Sequence, residues 1–178
     1  RKFYTTISPS MDILISSNLE RMLFEISGRD DKTVAALQGD LNVDGKYTVS
    51  SEIAAKFKEL FFGGCCDDEK TLSTINDTFK NKDYLCDTHT AVAVSVYKDY
   101  VKSTGDDRPT VIASTASPYK FANSVLEGIG EESVGDKFET VEKLSAVSGV
   151  AVPAPIAALK NAVPRFNNVC EKQDMVKV

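Results

Sequence analysis

The chain has 178 residues, with 26 acidic and 21 basic side chains and a net charge of −5 at pH 7. Its content of 42% hydrophobic and 26% charged residues is ordinary for a single globular domain. It contains no cluster of lysine and arginine, so we expect no nucleic-acid partner. No apolar run reaches the roughly 20 residues that a membrane span needs, so we expect no membrane partner and a cytoplasmic location.

The first half of the chain reads as one strand followed by helices. Residues 2–7 (KFYTTI) predict a short strand, which the Ser8-Pro9 pair ends. Apolar residues at helical spacing then predict helices over 16–27, 31–41, 51–62, 68–82 and 88–105.

The second half opens with the clearest strand signal. Residues 110–115 (TVIAST) are apolar on both faces, as in a strand buried inside a sheet. A helix is predicted to begin at Pro118, another to span 136–149, and a short one to lie between the prolines of the tail. The predicted fold class is therefore α/β and helix-rich, with a few-stranded sheet flanked by helices.

The first helix has an unusual start, because Ser16, Ser17 and Asn18 follow an apolar run. Ser and Asn side chains accept hydrogen bonds from the free N–H groups of a first helical turn, and Glu20 suits the positive end of the helix dipole. We therefore expect these residues to cap a helix that Gly28 closes.

Two metal sites are suggested by the sequence, and we expect neither to form. Residues 40–52 resemble a calcium loop, but its twelfth position is Ser51 and Glu52 comes one residue late, which favours a simple Asp-Gly turn. Structural zinc sites usually pair cysteines as C-x-x-C, whereas Cys65 and Cys66 are adjacent. We therefore expect these two, and likewise Cys86 and Cys170, to be free thiols without a metal.

Two further patterns concern nucleophilic catalysis. Residues 117–120 (SPYK) match the S-x-x-K motif of penicillin-recognising serine enzymes, but Ser117 before Pro118 is better interpreted as a helix cap. His89 is the single histidine and lacks a nucleophile-elbow partner in the sequence. We interpret Asp87 or Thr88 as the cap of the next helix and His89 as a polar residue of its first turn.

Three polar segments together resemble threonine synthase. The family motifs S-P-S-M-D-I and I-S-S-N-x-E-R are kept at 8–13 and 15–21. Its D-P-H-T-A-V-G motif corresponds to DTHTAVA at 87–93, and its S-T-A-H-P-A-K-F motif corresponds to STASPYKF at 114–121. Three positions depart from the family, namely Thr88 for Pro, Ala93 for Gly and Ser117 for His, and the last puts a catalytic role of residue 117 in doubt.

The resemblance implies a fold-type II pyridoxal-phosphate enzyme with a tryptophan synthase β-like architecture. Such an enzyme is a carbon–oxygen lyase that converts O-phospho-L-homoserine and water into L-threonine and phosphate. The family's Schiff-base lysine and Gly-rich phosphate loop have no counterpart in this chain, and residue 1 is Arg rather than Met. We therefore expect residues 1–178 to be a single C-terminal fragment that contributes one wall of the cofactor site, needs the missing N-terminal part and is inactive alone.

The resemblance also suggests site residues. Fold-type II enzymes place a Ser or Thr hydroxyl on the pyridine nitrogen of pyridoxal 5'-phosphate, and the matching position is Thr115, with Ser114 as second choice. A hydroxyl, unlike a carboxylate, does not favour protonation of that nitrogen. The candidates for the lining of the substrate channel are Ser16, Ser17, Asn18, Arg21 and His89.

Two other interpretations remain open. The chain could be a non-catalytic threonine-synthase-like module that binds a metabolite or a protein partner, or, more remotely, a serine hydrolase acting through Ser117. If the chain is instead a fragment of the longer enzyme, its removal from that enzyme would expose an apolar face along the predicted strands, at Phe3, Ile7, Val111 and Ile112. We expect the isolated chain to self-associate or fray there.

Overall fold

Helices dominate the structure, a computed structural model that describes residues 2–177. Within these residues the α-helices are α1 (Ser17–Ile26), α2 (Asp31–Asp44), α3 (Ser51–Leu60), α4 (Asp68–Lys82), α5 (Thr88–Thr104), α6 (Ala122–Gly128), α7 (Lys137–Ser148) and α8 (Ala154–Leu159). Short 3-10 turns lie at Pro9–Met11, Pro118–Phe121 and Lys172–Lys177. Every helix predicted from the sequence is confirmed, with ends that differ by no more than a few residues.

The helix ends explain this agreement. Asp67 accepts from the N–H of Lys70 at the start of α4, and Asp136 forms a reciprocal capping box with Glu139 at the start of α7. The predicted Asp-Gly turn is also confirmed, because Gly45 ends α2 with a φ of 68°. These signals act over three or four residues and can be recognised in the sequence.

The predicted sheet is not seen within residues 2–177. Residues 2–7 and 110–115 lie outside the helices, and residues 2–177 contain no β-ladder. Val111, expected inside a sheet, is 96% exposed. A strand needs a neighbour to pair its N–H and C=O groups, and no part of the described chain lies beside either segment as such a neighbour.

Two apolar cores hold the helices together. Helices α1, α2 and α3 form the smaller core, whose buried residues are Leu23, Ile26, Val34, Leu37 and Ile53. Helix α4 packs against α5 and α6, and α6 packs against α7. The buried residues of this larger core are Ile75, Leu85, Cys86, Ala91, Tyr119, Ala122, Val125, Leu126, Ile129 and Leu144. The larger core fixes the start of α5, where the polar motifs meet.

None of the helices in residues 2–177 has both the length and the apolar character of a membrane span.

Candidate functional site

The carboxylate of Asp87 organises the start of α5. Asp87 is completely buried, and its extended backbone (φ −77°, ψ 171°) makes it the N-cap residue. Its Oδ2 accepts from the backbone N–H of His89 at 2.9 Å and from His89 Nδ1 at 2.8 Å, while its Oδ1 accepts from the backbone N–H of Thr90 at 3.1 Å and from the Thr90 hydroxyl. The predicted cap at Asp87 is confirmed, and four donors compensate the buried charge.

The ring of His89 is fixed in one tautomer. The backbone N–H of Ser10 donates to Nε2 over 3.1 Å, so Nε2 carries no proton. The proton of the neutral ring is therefore on Nδ1, where it is donated to Asp87. Because His89 is only 4% exposed and both nitrogens are engaged, its geometry favours a positioning role.

The third motif, residues 114–121, also contacts the start of α5. The ring of Phe121 lies 4.6 Å from the ring of His89, centroid to centroid, and the hydroxyl oxygens of Thr90 and Ser114 are 3.2 Å apart. Folding thus joins segments 8–13, 87–93 and 114–121. We call this cluster the motif junction, and it consists of Ser10, Asp87, His89, Thr90, Ser114 and Phe121.

Thr115 lies beside the junction in an irregular segment. Its side chain is exposed, whereas the sequence predicted the end of a buried strand, because that segment has no strand neighbour in residues 2–177. Two residues later, the Ser117 hydroxyl accepts from the backbone N–H of Tyr119 at 3.3 Å, with Pro118 as the first residue of the 3-10 turn. The prediction that Ser117 is a cap is confirmed.

The other predicted channel residues lie apart from the junction contacts. Ser16, Ser17, Asn18 and Arg21 are all exposed at the start of α1. Ser16 is the N-cap residue, but its side chain makes no capping bond, and Asn18 accepts from Nη2 of Arg21 at 2.5 Å. The prediction of side-chain capping by Ser16 and Asn18 is therefore wrong, since at this exposed helix end water can serve the free N–H groups.

A cavity of about 610 Å³ lies beside the first motif, between residues 2–14, residues 64–68 and Val92. Ser8 belongs to its wall, and the buried Ser8 hydroxyl has no hydrogen-bond partner among residues 2–177. The backbone N–H of Ile7 donates to the carboxylate of Asp68 at 3.0 Å, which ties the segment to α4.

Sequence reasoning missed Thr90 and Asp68. Both lie in the first turn of a helix, where a polar residue is usually explained by solvent exposure. The only available signal for Thr90 was its place inside the 87–93 motif.

The four cysteines are free thiols in this structure, with Cys65 and Cys170 exposed and Cys86 buried. Cys86 is buried beside the junction, and its burial, followed by the nearby charge of Asp87, raises the pKa of the thiol to about 11. Within residues 2–177, no three His, Cys, Asp or Glu side chains are placed so that they could hold a metal ion.

The amino-acid sequence matches a family described as threonine synthase, C-terminal, over residues 90–178. The threonine synthase of Pseudomonas aeruginosa is 34% identical over 171 residues, which cover 93% of this chain and 35% of that protein. The human protein named threonine synthase-like 1 is 32% identical over 136 residues, covering 76% of this chain and 18% of that protein.

Solved structures show the same likeness in three dimensions. The crystal structure of PLP-bound threonine synthase from Brucella melitensis superposes with a TM-score of 0.67 at 30% identity, covering 84% of this chain and 34% of that one. Yeast threonine synthase gives a TM-score of 0.66 at 30% identity, covering 82% and 32%. The chain spans about a third of the length of the threonine synthases that it matches.

Proposed function

The chain belongs to the threonine synthase C-terminal family, and we propose that it supplies the C-terminal part of an enzyme that converts O-phospho-L-homoserine and water into L-threonine and phosphate. The observation that carries this proposal is the motif junction. Three segments that resemble the family in sequence are brought together around His89 by hydrogen bonds and ring contacts.

The proposed cofactor is pyridoxal 5'-phosphate, which when bound supplies an electron sink for reactions at the carbons next to the amino group. We propose that this chain forms the wall that contacts the pyridine nitrogen. Thr115 remains the first candidate for that contact, because its side chain is exposed next to the junction. Ser114 is the second candidate, and it is held in place by Thr90.

We propose that the start of α1 lines the substrate channel. Among the four candidates there, Arg21 carries the one positive charge, which suits it to the phosphate of O-phosphohomoserine. Its guanidinium is exposed and held by Asn18 rather than by a carboxylate, so it keeps donors available for an anion. Ser16 and Ser17 offer exposed hydroxyls on the same turn.

The proposed partner is the remainder of a threonine synthase, with the fold-type II architecture. We propose that residues 2–7 and 110–115 pair with strands of that remainder. Phe3 is 55% exposed and Val111 is 96% exposed, which supports a covered position for both segments in a longer protein. Since this chain has no match to the family's Schiff-base lysine motif, the 178 residues alone are expected to form no threonine.

A chimeric enzyme tests this proposal. Its first part is the region of the Pseudomonas relative that this chain does not cover, and its second part is this chain. We expect the chimera to bind pyridoxal 5'-phosphate and to release phosphate from O-phospho-L-homoserine with equal formation of threonine. The first part alone and a chimera with Thr115→Val are the controls. Cofactor binding without any threonine would contradict the enzyme and favour a non-catalytic binding module.

A further inference from the structure

Two thiols lie side by side in the loop between α3 and α4. Cys65 is exposed, Cys66 is half-buried, and both are free. Both residues line the cavity of about 610 Å³ beside the first motif. Neither of them belongs to the three motifs or to the motif junction.

A disulfide is a poor product for this pair. The peptide bond between the two residues is trans, which sets their Cα atoms about 3.8 Å apart. A relaxed disulfide joins Cα atoms that are about 4.4–6.8 Å apart, and a shorter span strains the bond and makes it easier to reduce. A bridging atom between the two sulfurs lengthens the link and relieves this mismatch. The pair therefore suits a soft atom that bonds to both thiols.

The number of thiols decides which soft atom fits. A structural zinc site takes four ligands, and inorganic arsenic(III) takes three thiols. Residues 2–177 hold no group of three His, Cys, Asp or Glu side chains suited to a metal ion, so the pair has no third ligand of this kind. An arsenic(III) atom that already carries one organic group has two open valences, which matches two thiols.

We propose that Cys65 and Cys66 form a dithiol site for monosubstituted arsenic(III) compounds, whose organic group occupies the adjacent cavity. In the first step the sulfur of Cys65 displaces one hydroxyl of R–As(OH)₂, and that hydroxyl leaves with the thiol proton as water. In the second step Cys66 displaces the other hydroxyl in the same way, so that arsenic is bonded to both sulfurs and to R. Arsenic stays in oxidation state III, and the reaction needs no oxidant or reductant.

The structure gives the two thiols different parts in this sequence. Cys65 is the accessible one and makes the first bond. Cys66 is anchored, because the hydroxyl of Thr71 lies within hydrogen-bond reach of its Sγ at 3.3 Å, and Thr71 is 1% exposed in α4. After the first bond, the second forms within one molecule, and a link of this kind raises the overall affinity by about 10²–10⁴-fold.

The cavity offers a place for the organic group. Its lining includes the apolar side chains of Phe3, Ile13, Leu14 and Val92. Cavities of about 150 Å³ already take up benzene, so this larger cavity has room for a phenyl ring. A phenyl group should therefore bind more tightly here than a methyl group.

The charges of the cavity favour a neutral compound. Its ionisable side chains outside the two thiols are one lysine and three aspartates, namely Lys2, Asp12, Asp67 and Asp68. This excess of negative charge repels anionic thiol reagents, whereas R–As(OH)₂ is uncharged. The site is thus expected to prefer an arsenical to an anionic disulfide.

Mass spectrometry of the 178-residue chain with phenylarsine oxide tests the site. The variants are Cys65→Ser and Cys66→Ser, and the matched control is Cys170→Ser, which removes an exposed thiol elsewhere. Excess 2-mercaptoethanol is then added, because a monothiol removes an arsenical from one sulfur far more easily than from two. We expect the wild type and Cys170→Ser to keep one phenylarsenic group per chain and to release it only to a dithiol.

The two variants of the pair should each retain the group at least about a hundredfold less tightly. Retention equal to that of the wild type in either variant would overturn the proposal. Loss of the group from Cys170→Ser, or a group shared between two chains, would overturn it as well.

A comparison of phenyl and methyl arsenicals tests the part of the cavity. The affinity of each compound for the chain is measured relative to its affinity for free dithiothreitol, which removes their intrinsic difference. The wild type should favour the phenyl form about tenfold, because part of the ring leaves water. Leu14→Ser should narrow this preference and leave the binding of the methyl form unchanged. Equal relative affinities in the wild type would show that the organic group stays in solvent and would overturn the role given to the cavity.

Discussion

The backbone N–H of Ser10 donates to Nε2 of His89 over 3.1 Å, although 79 positions separate the two residues in the chain. This bond attaches the 3-10 turn Pro9–Met11 to the buried start of α5. Through its other ring nitrogen, Nδ1, His89 donates a hydrogen bond to Asp87. The first motif is therefore held by the imidazole ring of His89 at Ser10 and by Asp68 at the adjacent Ile7.

Replacing His89 by Leu should destabilise the chain. The change removes one of the four donors from the buried Asp87, and an unsatisfied buried polar group costs about 1–3 kcal/mol. Ser10 is exposed, so its N–H turns to water when its acceptor is removed. Urea unfolding measures the loss, and amide exchange should accelerate at Ser10. His89→Gln, which keeps an acceptor, should be affected less. Equal stability of wild type and His89→Leu would show that the bond contributes nothing.

Replacing Gly128 by Ala should also be destabilising, because α6 approaches α4 closely there. A Cβ at Gly128 would lie 2.8 Å from Cγ2 and 2.9 Å from Cβ of Ile75, which is completely buried. Overpacking of this kind costs about 1–3 kcal/mol. Gly39→Ala is the matched control, since Gly39 lies in α2 with no atom within 4 Å of its added Cβ.

Gly39→Ala should raise the free energy of unfolding by up to about 1 kcal/mol through helix propensity. Thermal unfolding of both variants measures these two changes in stability. A Gly128→Ala variant that is as stable as the wild type, or more stable, would contradict the close packing of α6 on α4.

The Cys86 thiol should resist alkylation while the exposed Cys65 and Cys170 react. Burial, with a smaller effect of Asp87, raises the pKa of Cys86 from 9.0 to about 11, so little thiolate is present at pH 8. Mass spectrometry after brief treatment with iodoacetamide measures the order of reaction. Rapid modification of Cys86 in the folded chain would be inconsistent with its burial.

The same shift predicts how stability depends on alkaline pH. Below pH 9 the thiol is protonated in both the folded and the unfolded chain, so the stability that comes from burying the neutral thiol is fully present. Above that pH the unfolded thiol ionises first, and stability falls by about 2–3 kcal/mol as the pH rises through 11. Cys86→Ser should lose most of this dependence between pH 9 and 11, and an unchanged dependence would contradict the assignment.

The sequence predicts the structural features that are determined by residues close together along the chain. Helix α4 was placed at 68–82 because a cap, an apolar stripe and a stop all occur within that stretch. Residues 110–115 carry a strand-like sequence, but a strand also requires a partner from elsewhere. The contact between Ser10 and His89 could not be read from spacing, because it depends on how α5 packs in the larger core. The segment that contains Thr115 carries a motif that can be recognised in the sequence, but its exposure does not follow from that motif.

The isolated chain should self-associate or fray along the predicted strands. Phe3 and Val111 are more than half exposed, and the segments around them are unpaired within residues 2–177. Size-exclusion chromatography with light scattering tests association, and amide exchange over 2–7 and 110–115 tests fraying. A monodisperse monomer with strongly protected amides in both segments would contradict this prediction.

The most direct test of the motif junction is the protonation state of its imidazole. His89 is the one histidine among 178 residues, so a long-range ¹H–¹⁵N NMR spectrum contains a single imidazole and needs no assignment. The structure predicts the neutral Nδ1–H tautomer at pH 7.5, with an unprotonated Nε2 that accepts from Ser10. A ring protonated on Nε2, or one that averages between tautomers as in free histidine, would mean that the three motifs do not meet at His89.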